Sequence, residues 1–269
     1  MSSADTIARQ PDPLRRVVVD ELSFGVVSSS PVGVPVGPPT ILVHGIGMSH
    51  RYLRRLHREL ARDRAVHSVD LPGFGGLPTP DDDGPIGAFA AALATLVAAL
   101  EAGPVVLVGQ SMGSQWVVEL ARTHPDLVSH VVVIGPVADD RHRSAGAQAR
   151  ALALDALREP PGTNAILLAD YLRCGMRWYL TQLRHMLAYR IEDAVAELRM
   201  PVLVLRGGHD PIAGPDWCRR LGDRARAAAV VTVPRGAHNV QRSAPRAVAD
   251  AIRVSPGFRM NSALSTNTA

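Results

Sequence analysis

From residue 40 onward, short apolar segments alternate with longer segments of helical periodicity, and no other feature restricts the fold as much. The segment VVLVG (Val105–Gly109) contains only apolar residues and glycine, as expected of a strand covered on both faces. Further toward the N-terminus, Leu53, Leu56 and Leu60 recur at the spacing of an amphipathic helix. Strands that alternate with helices predict an α/β fold, in which helices cover both faces of a mostly parallel sheet.

Eight strands and five helices are predicted around this pattern, with a Pro- and Gly-rich loop between the second and third strands. The predicted strands are Arg15–Asp20, Leu22–Ser28, Thr40–His44, Ala65–Asp70, Val105–Gly109, His130–Ile134, Pro201–Gly207 and Ala228–Pro234. The predicted helices are Arg51–Asp63, Gly87–Leu100, Met112–Thr123, Asp216–Asp223 and Ala244–Arg253.

The alternation stops between the sixth strand and the seventh. Residues 137–200 contain no strand-like run, only helical stretches rich in Arg, Ala and Leu. We therefore expect one core formed by residues 1–136 and 201–260, with residues 137–200 inserted after the sixth strand as a helical cap. The polar residues 261–269 are expected to form a disordered tail.

Charge and composition argue against several classes of partner. All 29 basic residues are Arg, and they never form a run longer than two, although the net charge is +4. A phosphate-binding surface needs clustered charge, so no nucleic-acid partner is expected.

The N-terminus is polar, and the longest nearly apolar stretch, Ile86–Leu100, is shorter than the roughly 20 residues that span a bilayer. Cys174 and Cys218 are expected to be free thiols, and the sequence predicts a soluble, cytoplasmic protein with no membrane partner.

The candidate catalytic motif is GQSMG (Gly109–Gly113), which lies at the end of a predicted buried strand and opens a helix. A short string of this kind also arises by chance, so its context carries the argument. Gly109 and Gly113 allow a sharp turn that would project Ser111 over the carboxyl edge of the sheet, where ligands bind in open α/β folds. The alternative interpretation is a helix-capping serine in an ordinary tight turn.

A serine hydroxyl becomes an effective nucleophile only when a base removes its proton and a third group orients that base. His238 follows the eighth predicted strand and is the candidate base, and Asp210 follows the seventh and is the candidate orienting acid. Asp139 and Asp140 follow the sixth strand and remain the alternative acids.

Two backbone N–H groups are candidates for holding a negatively charged oxygen. The turn HGIGMS (His44–Ser49) follows the third strand, and its Ile46 N–H can pair with that of Met112, the residue after Ser111. The alternative is an ordinary glycine turn. The sequence contains no HExxH, HxH, phosphate loop or dinucleotide fingerprint, so no metal and no nucleotide cofactor is expected.

With these motifs, the sequence resembles the cap-bearing serine hydrolases of the α/β-hydrolase superfamily, and most of all the subgroup of esterases, lactonases and carbon–carbon bond hydrolases. The order Ser111, Asp210, His238 is the order of that superfamily. The resemblance implies that Ile46 and Met112 form the oxyanion hole and that no cofactor is used. It covers Thr40 to about Arg253 through the motifs HGIG, DLPGFG, GQSMG, LRGGHDPI and GAHN.

The aromatic residues of the predicted cap are candidates for the substrate pocket. Tyr171, Trp178 and Tyr179 would form an apolar lining, or they would instead form the core of the cap itself. Four arginines of the same segment could contact a substrate carboxylate or simply face solvent. They are Arg173, Arg177, Arg184 and Arg190.

The sequence thus predicts a serine hydrolase that cleaves a small to mid-sized, largely apolar carboxylic ester or lactone through an acyl-enzyme on Ser111. Its expected partner is the small-molecule substrate, and a homodimer is compatible with the sequence. One alternative is a carbon–carbon bond hydrolase of the meta-cleavage product type. Another, from a different class, is a ligand-binding module that retains the hydrolase fold.

Overall fold

One eight-stranded sheet lies at the centre of the part of the chain that the structure describes. The computed structural model describes residues 12–101, 103–157 and 161–255, so the predicted tail 261–269 lies outside the described residues. The strands are β1 (Arg15–Val19), β2 (Leu22–Ser29), β3 (Thr40–Val43), β4 (Val66–Asp70), β5 (Val105–Gln110), β6 (Val128–Ile134), β7 (Val202–Gly207) and β8 (Ala228–Val233).

The strand order is β1-β2-β4-β3-β5-β6-β7-β8. β2 pairs antiparallel with both β1 and β4, whereas every pair from β4 to β8 is parallel. Each of the eight predicted strands is present, and the mostly parallel α/β sheet is confirmed. The parallel arrangement brings the carboxyl ends of β3, β5, β6, β7 and β8 to one edge of the sheet.

Helices cover both faces of the sheet, because alternate residues of each central strand point to opposite sides. Val105 and Leu107 of β5 belong to one apolar cluster, and Val106 and Val108 belong to the other. The core helices are α1 (His50–Leu60), α2 (Ile86–Leu100), α3 (Gly113–Thr123), α8 (Pro215–Arg224), α9 (Val240–Ser243) and α10 (Pro245–Val254). The short helix α9 was not predicted.

Between β6 and β7 the described residues form four helices, as expected for an insertion after the sixth strand. They are α4 (Ala145–Ala156), α5 (Pro161–Cys174), α6 (Met176–Ala188) and α7 (Ile191–Glu197), and we refer to them as the inserted helices. Ile191 and Val195 of α7 are fully buried in the same apolar cluster as α2 and α3. The last inserted helix therefore packs as part of the core. The boundary between cap and core at residue 200 stays a prediction.

None of the described helices is both long enough and apolar enough to cross a membrane.

Candidate active site

Ser111 lies in a strained turn between β5 and α3. Its φ is +56°, a left-handed conformation that costs a residue other than glycine about 1–3 kcal/mol. A Cβ on Gly109 would lie 2.3 Å from the Gly113 carbonyl oxygen, and one on Gly113 would lie 2.5 Å from the His44 oxygen. The turn can close this tightly only because both positions are glycine.

The ends of β5 and β6 bring Ser111 close to the two other predicted catalytic residues. The Ser111 N–H donates to the Ile134 carbonyl at the end of β6, at 2.8 Å. The next residue, Gly135, has a φ of +57°, and a Cβ there would lie 2.9 Å from Nδ1 of His238 and 3.2 Å from Oδ2 of Asp210. Two successive residues, the last of β6 and the first after it, therefore lie against Ser111 and against the Asp210–His238 pair respectively.

Asp210 and His238 form a buried pair. Oδ2 of Asp210 lies 3.0 Å from Nδ1 of His238, and Oδ1 accepts the N–H groups of Ile212 and Ala213 at 2.8 and 2.9 Å. Burial by itself would raise the pKa of Asp210, but the charge and hydrogen bond of His238 and the two N–H donors more than offset it and lower the pKa. An ionised Asp210 keeps the proton of a neutral imidazole on Nδ1, which makes Nε2 the basic nitrogen.

The alternative acids make other contacts. Arg220 of α8 donates to Oδ1 of Asp139 at 2.7 Å and also to Oδ1 of Asp140. Among the three candidates, Asp210 is the one with a described bond to the His238 ring.

The turn that follows β3 packs directly against Ser111. A Cβ on Gly45 would lie 2.9 Å from the Ser111 Cβ, so this turn and the Ser111 turn are in contact. Within the described parts of the chain, neither the Ile46 N–H nor the Met112 N–H donates to a protein acceptor. These are the two donors predicted for the oxyanion hole.

The side chain of His44 makes hydrogen bonds that stabilise this turn. Its Nε2 accepts the Leu71 N–H at 3.1 Å, so the proton of the ring is on Nδ1, which donates to the Gly45 carbonyl at 2.7 Å. Burial of the ring lowers the pKa of His44. The neutral imidazole therefore links the turn after β3 to the loop after β4.

Two of the three predicted pocket residues lie above the same turn. Tyr171 and Tyr179 form an edge-to-face pair with ring centroids 5.4 Å apart, and a Cβ on Gly47 would lie 2.3 Å from the Tyr171 ring. Burial raises the pKa of both phenols, so they stay protonated near neutral pH.

Trp178 is placed differently. It is buried between Phe74 and Phe89, with ring centroids 6.3 and 6.2 Å away, and it packs on Gly73 in the loop after β4. This aromatic cluster joins α6 to the core, and a role of Trp178 in the pocket stays a prediction.

The four arginines considered for a substrate carboxylate lie at the surface. Arg173 donates to Asp170, and Arg190 donates to Asp193. All four are exposed, namely Arg173, Arg177, Arg184 and Arg190.

One contact at the site was missed by the sequence analysis. Oδ1 of Asp155, a buried residue of α4, accepts the backbone N–H of His238 at 2.9 Å. The available signal was an acidic residue in the helix AGAQARALALDA, because a carboxylate is seldom buried unless it is paired. Asp70 holds a loop: its carboxylate accepts the backbone N–H of His50 and lies 2.6 Å from Nδ1 of the His50 ring.

Both cysteines are buried and free. Burial raises the pKa of Cys174 to about 11 and that of Cys218 to about 12. Since the thiolate is the nucleophilic form, both thiols are unreactive near neutral pH.

Comparisons with known proteins agree with this architecture. A family model described as "Alpha/beta hydrolase family" matches residues 40–251. The (E)-2-((N-methylformamido)methylene)succinate hydrolase of Acinetobacter baylyi is 27% identical over 81% of this chain and 89% of its own length. The pimeloyl-[acyl-carrier protein] methyl ester esterase of Aeromonas hydrophila is 29% identical over 69% of this chain and 76% of its own length. The crystal structure of the enol-lactonase from Burkholderia xenovorans LB400 superposes with a TM-score of 0.75 at 19% identity, covering 88% of this chain and 98% of that chain.

Proposed function

The chain belongs to the alpha/beta hydrolase family, and from that premise we propose that it is a serine hydrolase with Ser111 as nucleophile, His238 as general base and Asp210 as the orienting acid. Its substrate is a small to mid-sized, largely apolar carboxylic ester or lactone. The Ile46 and Met112 N–H groups form the oxyanion hole.

One observation carries the proposal. The buried Asp210–His238 pair lies against Gly135, and the residue before Gly135 accepts the N–H of the strained Ser111. Strain of this kind persists only where the surrounding structure imposes it, and it concentrates at functional sites. A capping serine in an ordinary turn would need neither the strain nor a buried His–Asp pair.

The reaction follows from these positions. Ser111 Oγ attacks the carbonyl carbon while Nε2 of His238 takes its proton, and the Ile46 and Met112 N–H groups stabilise the oxygen anion of the tetrahedral intermediate. The leaving alcohol takes that proton from His238, which leaves an acyl-enzyme on Ser111. Water, deprotonated by His238, then attacks the acyl carbon, and the acid is released as Ser111 regains its proton.

The surroundings of the turn after β3 favour an apolar substrate. Tyr171 and Tyr179 present aromatic surface beside Gly47, and protonated phenols add no negative charge. The esterase relative from Aeromonas supports an ester as the reacting group.

The carbon–carbon hydrolase alternative needs a cation in the pocket to hold the dienoate carboxylate. The four arginines considered for that task are exposed, and two of them are bonded to acidic residues of the inserted helices. This arrangement favours the ester or lactone over the carbon–carbon substrate.

A fluorophosphonate probe tests the nucleophile without knowledge of the substrate. We expect the purified protein to be labelled once, at Ser111, and to hydrolyse p-nitrophenyl acetate or butyrate. Ser111→Ala should abolish labelling and lower ester turnover by about 10³-fold or more.

The matched control is Ser129→Ala, because Ser129 donates to the Val105 carbonyl at the opposite end of β5. It should leave labelling unchanged. Ester turnover that survives Ser111→Ala would rule out the proposed mechanism. A chain that takes no label and hydrolyses no ester, yet melts at a higher temperature with a saturable ligand, would be the binding module instead.

A further inference from the structure

The inserted helices reach the candidate catalytic centre through two buried carboxylates. Asp155 of α4 is 3% exposed and Asp170 of α5 is 1% exposed. Each of them binds a different loop of the core at the edge where Ser111 lies. Neither residue belongs to the triad or to the oxyanion hole.

Asp155 binds the loop that carries His238. The His238 backbone N–H donates to Oδ1 of Asp155 at 2.9 Å, and the two residues are 83 positions apart in the chain. His238 itself is 2% exposed. A buried N–H without an acceptor is costly, so this contact is a constraint on where the loop can lie.

His238 is therefore held at two points by two different parts of the molecule. Asp210, in the loop after β7, binds the ring nitrogen Nδ1 and sets the rotation of the imidazole. Asp155, in α4, binds the main chain and sets the position from which the side chain starts. The ring can be correctly rotated and still misplaced if the second contact is lost.

Asp170 makes the corresponding contact on the other side. Its Oδ2 accepts the Ser49 hydroxyl at 2.7 Å, and its Oδ1 accepts Arg51 at 2.6 Å. Ser49 ends the turn that begins at His44 and carries Ile46. The inserted helices thus bind the loop of the general base and the loop of the oxyanion hole each through a buried carboxylate. Asp155 accepts a backbone N–H, and Asp170 accepts a side-chain hydroxyl.

We propose that Asp155 is a positioning residue for His238, which ties the reactive geometry of the general base to the seating of α4 over the site. This inference rests on the proposed function, since it requires His238 to act on Ser111. It predicts that the acceptor oxygen at position 155 matters for the reaction, beyond what burial of the side chain contributes to folding.

Two substitutions separate these contributions. Asp155→Asn keeps an oxygen that can accept the His238 N–H, whereas Asp155→Leu keeps the branched shape of the side chain without an acceptor. The measured quantity is the second-order rate constant for fluorophosphonate labelling of Ser111, because phosphonylation needs the base but no cognate substrate. We expect Asp155→Leu to slow labelling by about 10- to 100-fold, the loss typical of a misplacement of about 1 Å. Asp155→Asn should keep the labelling rate constant within about threefold of the wild-type value, a much smaller change than that expected for Asp155→Leu.

Glu192→Gln and Glu192→Leu are the matched controls. Glu192 is a buried carboxylate of α7 that binds Arg143, and no described bond joins it to Ser111, Asp210 or His238. Its substitutions should lower the melting temperature, as the Asp155 variants do, and leave the labelling rate per folded molecule unchanged. Asp155→Ala, a smaller lesion, extends the series if the leucine variant does not fold.

The outcomes are distinct. Failure of the wild-type protein to take the label would overturn the proposed function. If the wild type is labelled but Asp155→Leu is slowed no more than Glu192→Leu, the positioning role is wrong. The same conclusion follows if Asp155→Asn is slowed as much as Asp155→Leu, since an acceptor oxygen would then not matter.

Discussion

At the scale of single residues, the Ser111 turn depends on what its neighbours lack. Ser111 adopts a φ of +56°, and the space for it comes from Gly109 and Gly113, whose missing Cβ atoms would meet backbone and not flexible side chains. Backbone atoms cannot move aside without disturbing β3 or β5. The geometry of the nucleophile is therefore set by the packing of the Ser111 turn against the turn after β3 and the end of β6, and not by the serine alone.

This arrangement predicts the effect of Gly113→Ala. The added Cβ would lie 2.5 Å from the His44 oxygen and 2.6 Å from the Val43 oxygen. We expect a loss of about 1–3 kcal/mol in the free energy of unfolding and a loss of fluorophosphonate labelling, because the turn has to open. Chemical denaturation and labelling of the same preparation measure both effects.

Gly87→Ala in α2 is the control, since a Cβ there would have no described atom from another part of the chain within 4 Å. It should raise the free energy of unfolding by about 0.5–1 kcal/mol, because alanine is the better helix former. Equal effects of the two substitutions would mean that the close packing of the turn does not determine its geometry.

At the scale of secondary-structure elements, the inserted helices contribute contacts that the core would otherwise make for itself. Ser49 occupies the N-cap position of α1 but makes no capping hydrogen bond there. Its hydroxyl instead donates to Asp170 of α5. By contrast, Ser144 caps α4 in the usual way by accepting the Ala147 N–H. The N-terminus of α1 thus depends on an element inserted more than a hundred residues later.

A double-mutant cycle between Ser49→Ala and Asp170→Ala measures this dependence. Hydrogen bonds to charged groups contribute about 1.5–3 kcal/mol, so we expect a coupling energy of at least about 1 kcal/mol in the free energy of unfolding. A coupling energy near zero would mean that the Ser49–Asp170 bond does not stabilise the folded protein. The pair Ser144→Ala and Asp170→Ala should give no coupling, because the two residues share no described bond.

At the scale of the whole molecule, a buried histidine makes the stability of the fold sensitive to acid. His57 belongs to α1 and its ring faces the sheet, where Nδ1 and Nε2 bond to the hydroxyls of Ser68 and Ser29 at 2.8 and 2.9 Å. Burial, with smaller contributions from His67, His50 and Arg58, lowers the pKa of His57 to about 4. The unfolded chain, with an ordinary histidine pKa of about 6.5, therefore binds more protons than the folded protein between these two values.

The sign of the pH dependence follows from this difference. As the pH falls below about 6.5, protonation favours the unfolded chain, and the loss levels off once the pH is below about 4. At pH 5 the loss from His57 amounts to about 2 kcal/mol. We expect His57→Gln to reduce the difference in unfolding free energy between pH 7 and pH 5 by about this amount.

Chemical denaturation at the two pH values is the measurement, and His124→Gln, at an exposed position, is the control that should leave the pH difference unchanged. An identical pH dependence in His57→Gln and wild type would mean that His57 titrates with an ordinary pKa in the folded protein.

The sequence by itself determined the architecture and the candidate triad. Strand and helix periodicities are local, so all eight strands and the helical insertion after the sixth could be predicted from them. The Ser111 turn could be predicted as well, because a sharp strand-to-helix turn has a local signature, the two glycines Gly109 and Gly113 around the serine. The short helix α9 was missed because four residues are too few to show a period.

Tertiary structure alone decided which side chains meet. Asp139, Asp140 and Asp210 all follow strands that end at the same edge, and only the folded chain shows Asp210 on the His238 ring and the other two on Arg220. The contacts of Asp155 and Asp170 join residues 83 and 121 positions apart, at distances that no local pattern encodes. Periodicity tells which face of an element is buried, but not which partner it meets, because the partner depends on how the inserted helices pack back onto the sheet.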